Sequence, residues 1–286
     1  MSFVIHRHTK EIYESKPSIS QRFLYRTFLG RIILRILISP FVSKISGAYM
    51  SSFLSRMHIR RFIKKNHIFM EDYKEERFTS FNAFFTRKIK EDKRPIEKNP
   101  NVLISPCDAK LSVYKIEEDS IFYIKNSYYR LDDLLENKTL AMEYQNGYCL
   151  IFRLGVDDYH RYCYMDDGSQ EKNISIKGVF HTVHPISLEK YNFFKKNHRI
   201  YTILHTLHFG DIVQVEVGAM MVGKIKNHYE DYTFTRGEEK GYFMFGGSTI
   251  VLLVKDIIEI DEDILIASQQ NKEMTIRYGE RVGVLK

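Results

Sequence analysis

The sequence predicts an α+β protein: a β-rich, barrel- or sandwich-like body preceded by an amphipathic helical region. Three observations predict it. Residues 20–70 interleave apolar side chains with Arg and Lys at helical spacing. From about residue 102 onward, short apolar runs recur between turn signals. The 286 residues are 44% hydrophobic, with 19 Tyr and 20 Phe and no long-period repeat, so the chain can bury a sizeable core. The boundary is placed at residue 95, between a basic helical region, 1–95, and a β-rich body, 96–286.

Residues 1–20 are polar and lack an apolar stretch followed by a small-residue cleavage site, so no secretory signal is read. In the next segment Phe23, Leu24, Phe28, Ile32, Ile33, Ile36 and Leu37 supply apolar surface. Arg22/Arg26 and Arg31/Arg35 sit among them at i,i+4, and Arg56, Arg60, Arg61, Lys64 and Lys65 extend the positive charge. Two readings fit: a helix lying in the headgroup layer of an anionic membrane, and a helix packed on the fold with a solvated basic face. The apolar run Ile32 to Val42 is broken by Arg35 and Pro40 and is too short to span a bilayer. A net charge of +7 favours an anionic partner, whether nucleic acid, acidic lipid or a phosphorylated substrate.

Phe81, Phe84, Phe85 and Ile89 share one helical face, and Pro95 ends that segment. Strands are expected at Val102–Ile104, Leu111–Ile116, Ile121–Ile124, Tyr148–Leu154, Ile174–Val183, Ile200–Leu207, Ile212–Val217, Met220–Ile225, Tyr242–Phe245 and Thr249–Val254. Helical interruptions are expected at Leu131–Leu135 and Leu188–Lys195. Val217 to Lys224, with Gly218 and Gly223, reads as a sharp hairpin. The three cysteines, Cys107, Cys149 and Cys163, are odd in number and not spaced as a zinc site, which suits a reduced, intracellular protein.

The chemistry centres on Phe245-Gly246-Gly247-Ser248-Thr249, a small-residue turn that runs into the apolar stretch Ile250–Val254. Two glycines let the backbone adopt angles closed to other residues and expose a carbonyl to close approach. A serine hydroxyl beside such a carbonyl can attack it, converting the peptide to an ester at which the chain can break. Alone, the stretch reads first as a tight turn into a buried strand. Asp108 lies in the turn Ser105-Pro106-Cys107-Asp108-Ala109. Asp157 to Tyr164 is dense in titratable groups; within it His160 can serve as general acid or base and Arg161 can hold a phosphate or carboxylate. His181 and His184 lie near a strand end, but no third ligand stands at convincing spacing, so no metal site is read.

Taken in order, these pieces resemble the phosphatidylserine decarboxylases, the pyruvoyl-dependent enzymes of phosphatidylethanolamine synthesis. The matching stretches are Phe81-Asn82-Ala83-Phe84-Phe85-Thr86-Arg87 with Arg94-Pro95, Ser105 to Asp108, and Asp158-Tyr159-His160-Arg161. Further on come Glu216-Val217-Gly218-Ala219 with Val222-Gly223, then Gly237 to Phe243 running into Gly246-Gly247-Ser248-Thr249. The resemblance implies a proenzyme that cuts itself between Gly247 and Ser248 into a larger fragment, 1–247, and a smaller one, 248–286, which stay together as a heterodimer compatible with further homo-oligomerisation. Ser248 would become a covalent pyruvoyl group. That group would form a Schiff base with phosphatidylserine and draw off electrons as CO2 leaves.

By the same resemblance Asp108 is the relay acid, Ser248 the nucleophile and His160 the proton donor of decarboxylation. The chain departs from the family pattern where a second histidine is expected and Cys163 stands, a poorer base. His181 is the candidate to fill that gap, because Asp166-Asp167-Gly168 supplies a hairpin signal that could pair its strand with that of Cys163. Ala109 replaces a glycine, and Arg199, in Asn197-His198-Arg199, is a candidate headgroup ligand. The implied setting is peripheral, on the cytoplasmic face of the cell membrane, with the basic helical region on anionic lipid and no nucleic acid bound. Two rivals remain: a serine hydrolase, disfavoured because no G-x-S-x-G elbow surrounds Ser248, and a non-catalytic lipid- or nucleic-acid-binding barrel with an inert turn.

Overall fold

A computed structural model of the chain describes residues 3–124, 127–184, 186, 196–219 and 224–286. Two short strands come first, β1 (Phe3–Ile5) and β2 (Ile12–Glu14), paired as a hairpin. Helices follow: α1 (Ile19–Arg26), α2 (Phe28–Leu37), α3 (Pro40–Met50), a 3-10 turn at Phe53–His58 and α4 (Ile59–Lys65). The helical reading of residues 20–70 holds, divided by caps. Ser18 and Gln21 form a reciprocal capping box on α1, Thr27 accepts from the Gly30 N–H to start α2, and Ser39 before Pro40 starts α3. Inward, Tyr25 and Leu34 pack with Ile186. Outward, Phe28, Leu29, Ile32 and Ile36 remain exposed.

The short helix α5 (Phe81–Phe85) is capped by Ser80, and all three of its phenylalanines are buried. The expected helical face through Ile89 is cut short. Backbone bonds from Lys74 N–H to Lys88 O and from Lys90 N–H to Asp72 O pull residues 88–90 into extended pairing, with a bridge between Tyr73 and Ile89. Ser55 ties this helix to the preceding layer, accepting from the Phe81 N–H at 2.8 Å.

The body opens with β3 (Val102–Ile104), β4 (Ala109–Lys115), β5 (Ile121–Ile124) and β6 (Ser127–Arg130). After α6 (Leu131–Leu135) and α7 (Lys138–Met142) come β7 (Tyr148–Leu154), β8 (Arg161–Cys163), β9 (Gly168–Gln170) and β10 (Ile174–Ile176). Next are β11 (Arg199–Thr206), β12 (Gly210–Val217), β13 (Ile225–Asn227), β14 (Tyr232–Phe234) and β15 (Glu239–Phe243). The chain closes with β16 (Ser248–Val254), β17 (Ile258–Ile260), α8 (Glu262–Gln269), β18 (Lys272–Ile276) and β19 (Arg281–Leu285). The helix expected at Leu188–Lys195, most of the strand expected at Met220–Ile225 and the pair Val222-Gly223 lie outside the described residues.

One eleven-stranded sheet dominates, in the order β14-β9-β11-β12-β16-β7-β4-β18-β1-β2, with β10 beside β11. Its pairings are antiparallel except β1 with β18. The ends β14 and β2 do not pair. Among the described residues the barrel expectation therefore resolves into an open α+β sheet, accompanied by smaller sheets β13-β15-β8 and β17-β19-β3 and the hairpin β5-β6. At its centre β16 is buried along its whole length; strands covered on both faces read as unbroken apolar runs. Ser248 pairs with Leu154 across β16 and β7, and Lys110, Arg153 and Thr249 form the next row across β4, β7 and β16. Asp108, immediately before β4, thus stands at the same sheet end as Ser248.

Candidate active site around Gly247 and Ser248

The turn from β15 into β16 is anchored by α5. The Phe245 N–H donates to Asn82 Oδ1 at 3.0 Å, and the Phe245 ring meets Phe81 and Phe85 edge-on at 4.8 and 5.2 Å. Gly246 has φ = 139°, in the region that favours glycine. At Gly247 a Cβ would come within 3.3 Å of Val183 Cγ2, so the glycine lets the backbone lie close against its neighbours. Ser248 follows with no exposed surface, and its Oγ has no hydrogen-bond partner. An unpaired buried hydroxyl costs on the order of 1–3 kcal/mol, which a merely structural turn would avoid.

His160, in the loop from β7 to β8, is 1% exposed. Its Nδ1 lies 2.9 Å from the Asp158 carbonyl oxygen. A carbonyl only accepts, so Nδ1 carries the proton and Nε2 keeps its lone pair. That Nε2 is buried and unpartnered. Burial drives the imidazole pKa down to about 3, so the ring is neutral near pH 7. Its ring lies 4.3 Å from that of Phe85, which also packs on Phe245 three residues before Ser248. The backbone closes the same link, with the Phe243 N–H donating to the His160 carbonyl at 3.0 Å.

The loop beneath His160 is held by charge. Lys110 Nζ contacts both oxygens of Asp158, at 2.8 and 2.7 Å, and the Gly155 N–H adds a third bond at 2.6 Å. Burial opposes the Lys110 ammonium, yet Asp158 and Asp157 outweigh it and raise its pKa to about 12. Nothing in the sequence singled out Lys110; only its i,i+2 spacing from Asp108 hints that both line one cavity. That cavity, of about 210 Å³, also takes in Arg94, Asp158 and Glu280.

The sequence-derived candidates are only partly brought together. Asp108 lies at the right end of the sheet, but its partners are the Arg94 fork, at 2.8 and 2.5 Å, and the Tyr278 N–H at 2.8 Å. No hydrogen bond joins it to a histidine among the described residues. His181 does not stand beside Cys163 through strand pairing. β8 pairs with β15, placing Glu239 opposite Cys163, while β9, the strand after the Asp166-Asp167 turn, pairs with β11 and β14. His181 instead lies with its Nδ1 3.4 Å from the Tyr25 hydroxyl, and its N–H donates to Asn197 Oδ1. Burial lowers its pKa to about 4. Two residues on, Val183 reaches Gly247.

Cys163 is fully buried, and burial pushes its thiol pKa up to about 12, so it stays protonated and supplies no base. Arg199, the candidate headgroup ligand, is turned into the fold. With no exposed surface, it donates to the carbonyls of Leu134, Asp133 and Asn197. Arg161 is likewise engaged, by Glu239 and the Thr86 carbonyl. Arg87, in sequence only one letter of the 81–87 motif, is buried against Phe84 with Nε and Nη2 unpartnered. Among the described residues no group of three or more His, Cys, Asp or Glu stands placed to hold a metal ion.

Comparison with known proteins matches residues 81–284 to the phosphatidylserine decarboxylase family. A phosphatidylserine decarboxylase proenzyme 2 from Clostridium acetobutylicum is 48% identical over 98% of this chain and 97% of its own. Proenzymes of the same name from Clostridium botulinum and Clostridium tetani are 40% and 41% identical, covering 96% and 85% of this chain and 96% and 84% of theirs.

Proposed function

Because the chain belongs to the phosphatidylserine decarboxylase family, we propose that it is a self-processing proenzyme that cuts itself between Gly247 and Ser248 and then converts phosphatidylserine to phosphatidylethanolamine and CO2. The observation that carries this reading is the buried, unpartnered Ser248 Oγ, three residues after Phe245, whose ring packs on the Phe85 ring that covers His160 and its unpartnered Nε2.

In processing, Ser248 Oγ attacks the Gly247 carbonyl while His160 Nε2, neutral and unprotonated, takes the hydroxyl proton. The peptide becomes an ester. Elimination releases Gly247 as a carboxylate, and hydrolysis of the resulting dehydroalanine gives ammonia and a pyruvoyl group at residue 248. The site suits that group: Ser248 is sealed from water, stands opposite Leu154 on β7, and no protein donor already occupies its oxygen. Once formed, the pyruvoyl group supplies a carbonyl that withdraws electrons as carboxylate is lost. His160 stands ready to move a proton at the reacting carbon. Asp108 acts through the Arg94 fork and the Tyr278 backbone, holding the end of β4 against β18, and His181 is a second candidate base through the segment that reaches Gly247.

The two fragments remain one body as a heterodimer. β16 lies between β12 and β7, and β18 between β4 and β1, so the smaller fragment is woven into the large sheet. The protein sits peripherally on the cytoplasmic face of the cell membrane. Exposed Phe28, Leu29, Ile36, Phe41, Phe53 and Leu54, among Arg and Lys of the same helices, support docking on anionic lipid. No helix among the described residues is long and apolar enough to cross a membrane.

Intact mass tests the processing step. Active protein should contain a 248–286 fragment lighter by one ammonia than the serine-started peptide. Active protein with an uncut chain overturns the reading.

A further inference from the structure

Five cations are buried among the described residues: Arg87, Lys110, Arg153, Arg199 and Lys240. Four have acceptors to match. Lys110 grips Asp158, Arg153 forks onto Glu273, Lys240 meets Glu216 at 2.9 Å, and Arg199 donates to a set of carbonyls. Arg87 differs. At 2% exposure it makes one long bond, from Nη1 to the Phe84 carbonyl at 3.3 Å, has the neutral Tyr73 hydroxyl as a polar neighbour, and leaves Nε and Nη2 with no acceptor in bonding geometry and no anion. Those two donors form the edge of the guanidinium suited to a two-pronged oxyanion. The flat faces are taken, with the guanidinium carbon 4.0 Å from the Tyr73 ring centre and 4.7 Å from that of Phe84. The fold thus holds a buried positive charge rigidly by its faces and leaves one edge without an anion, a costly arrangement unless an anion arrives.

The location links that edge to the reaction. Phe85, two residues before Arg87, carries the ring against His160. Tyr73, stacked on the guanidinium, lies 6.3 Å ring to ring from Tyr159, the residue before His160. Arg87 is also close enough for its charge to help keep the His160 imidazole neutral, after burial itself.

We propose that Arg87 binds the phosphodiester of the substrate, and this rests on the reading that Ser248 and His160 form the decarboxylation site. The substrate brings two anions, the serine carboxylate and the phosphodiester. A guanidinium paired with the carboxylate would stabilise the charge that the reaction must discharge, raising the barrier. The phosphodiester keeps its charge from substrate to product, so pairing it with Arg87 strengthens binding without penalising the chemical step. The carboxylate is then left to the apolar enclosure of Phe85 and Phe245, where loss of charge is favoured.

The test is steady-state decarboxylation of short-chain phosphatidylserine by wild type, Arg87→Gln and Arg87→Lys, with the mass of the 248–286 fragment recorded for each. The expected result is KM raised roughly tenfold or more in Arg87→Gln, partly restored in Arg87→Lys, with kcat changed far less. Inhibition by glycerophosphoethanolamine, which has the phosphodiester and no carboxylate, should weaken in parallel, while inhibition by L-serine should not. A rise in kcat alongside the raised KM, or weakened inhibition by L-serine alone, overturns the assignment by placing Arg87 at the carboxylate, and a fall in kcat at unchanged KM overturns it by placing Arg87 in the chemical step. Loss of self-cleavage in Arg87→Gln, restored in Arg87→Lys with wild-type KM, overturns it in favour of a processing or structural role. If the wild-type 248–286 fragment retains its serine, the pyruvoyl reading fails instead, whatever Arg87 does.

Discussion

The imidazole of His160 lies 4.3 Å from the Phe85 ring at an interplanar angle of 43°, and its Nε2 is sealed from water. Phe85 is therefore part of what keeps His160 neutral, because burial is the main cause of its lowered pKa. Phe85→Ala should open a cavity, cost about 3–5 kcal/mol and admit water to the imidazole. Self-cleavage should slow, and its pH midpoint should move up toward the ordinary histidine value of about 6.5. Phe85→Leu should keep most of the rate. A Phe85→Ala protein that cleaves at the wild-type rate with an unchanged pH profile would separate this ring from the chemistry.

In the parent protein a base with a pKa of about 3 is already unprotonated across the physiological range. Self-cleavage should therefore run at a flat rate from pH 5 to 8 and fall only as pH approaches 3. The stability linkage has the same sign. Folded His160 resists the proton that unfolded histidine takes near pH 6.5, so stability is present above that value and is lost as pH falls toward 3. Replacing His160 with Gln in the uncleavable Ser248→Ala background should flatten that part of the stability profile, read by denaturant titration. A self-cleavage midpoint near 6.5 in the parent would identify a different base.

His181, with its own pKa lowered to about 4, would give a midpoint there and not near 6.5, so a direct comparison of the two histidines is needed. His160→Ala should abolish self-cleavage, whereas His181→Ala should leave it within a few-fold, since the His181 Nδ1 faces the Tyr25 hydroxyl. Denaturing gels of freshly made protein, sampled over time, give both rates. Loss of cleavage in His181→Ala alone would hand the proton transfer to the segment that reaches Gly247 through Val183.

Much of this was legible in the chain. β7 and β16 announce themselves as largely apolar runs because both faces are covered, and α1, α2 and α3 are punctuated by Ser and Thr at their caps. β9, Gly168-Ser169-Gln170, could not be read, since three small or polar residues show no period. Without that strand the turn at Asp166 reads as pairing His181 with Cys163, whereas in the fold it leads into β9, between β14 and β11, and not back along β8. In the site, Ser248 and His160 stood out because their chemistry is local, a hydroxyl after two glycines and an imidazole in a polar turn. Arg94 on Asp108 and Lys110 on Asp158 did not, because those pairings join segments that only the register of β4 and β7 brings together. Arg87 was visible as a letter in a motif, but its unpaired edge is a property of packing alone.

The Lys110–Asp158 pair is predicted to be a stabilising clamp whose loss is felt as an uncompensated buried charge. In the Ser248→Ala background, where unfolding involves one chain, Lys110→Met should cost about 3–5 kcal/mol at pH 7. Adding Asp158→Asn should recover much of that loss, since the stranded carboxylate is then gone. Additive losses in the double variant would mean the two residues do not act as a pair.

After cleavage the fragments should not separate without denaturation. β16 is hydrogen-bonded on both sides by strands of the larger fragment, and β18 is flanked by β4 and β1. Arg7, just after β1, adds contacts to Asp261 at 2.7 Å and Asp263 at 3.1 Å across the cut. Size exclusion of processed protein should therefore show both fragments in one peak at high salt, because buried strand pairing does not screen as surface charge does. Arg7→Ala should lower the denaturant concentration at which the smaller fragment is released, leaving co-elution in buffer intact. Release of 248–286 by salt alone would show that the sheet does not hold the fragments together.

α2 carries Phe28, Leu29, Ile32 and Ile36 outward with Arg31 and Arg35 beside them, while its inward Leu34 packs with Ile186, in the segment next to the site. Burying those side chains in a lipid interface while the arginines meet headgroup phosphates combines the two terms that drive peripheral binding. Sedimentation with vesicles containing phosphatidylserine or phosphatidylglycerol should bring the protein down, and far less should sediment with neutral phosphatidylcholine vesicles. Phe28→Asp with Ile36→Asp should abolish sedimentation while leaving self-cleavage unchanged, because neither residue contacts the Gly247–Ser248 turn. Activity on short-chain, monomeric phosphatidylserine should survive in that variant, and activity on vesicles should fall. Equal binding of variant and parent to anionic vesicles would assign this apolar face to a role other than the membrane.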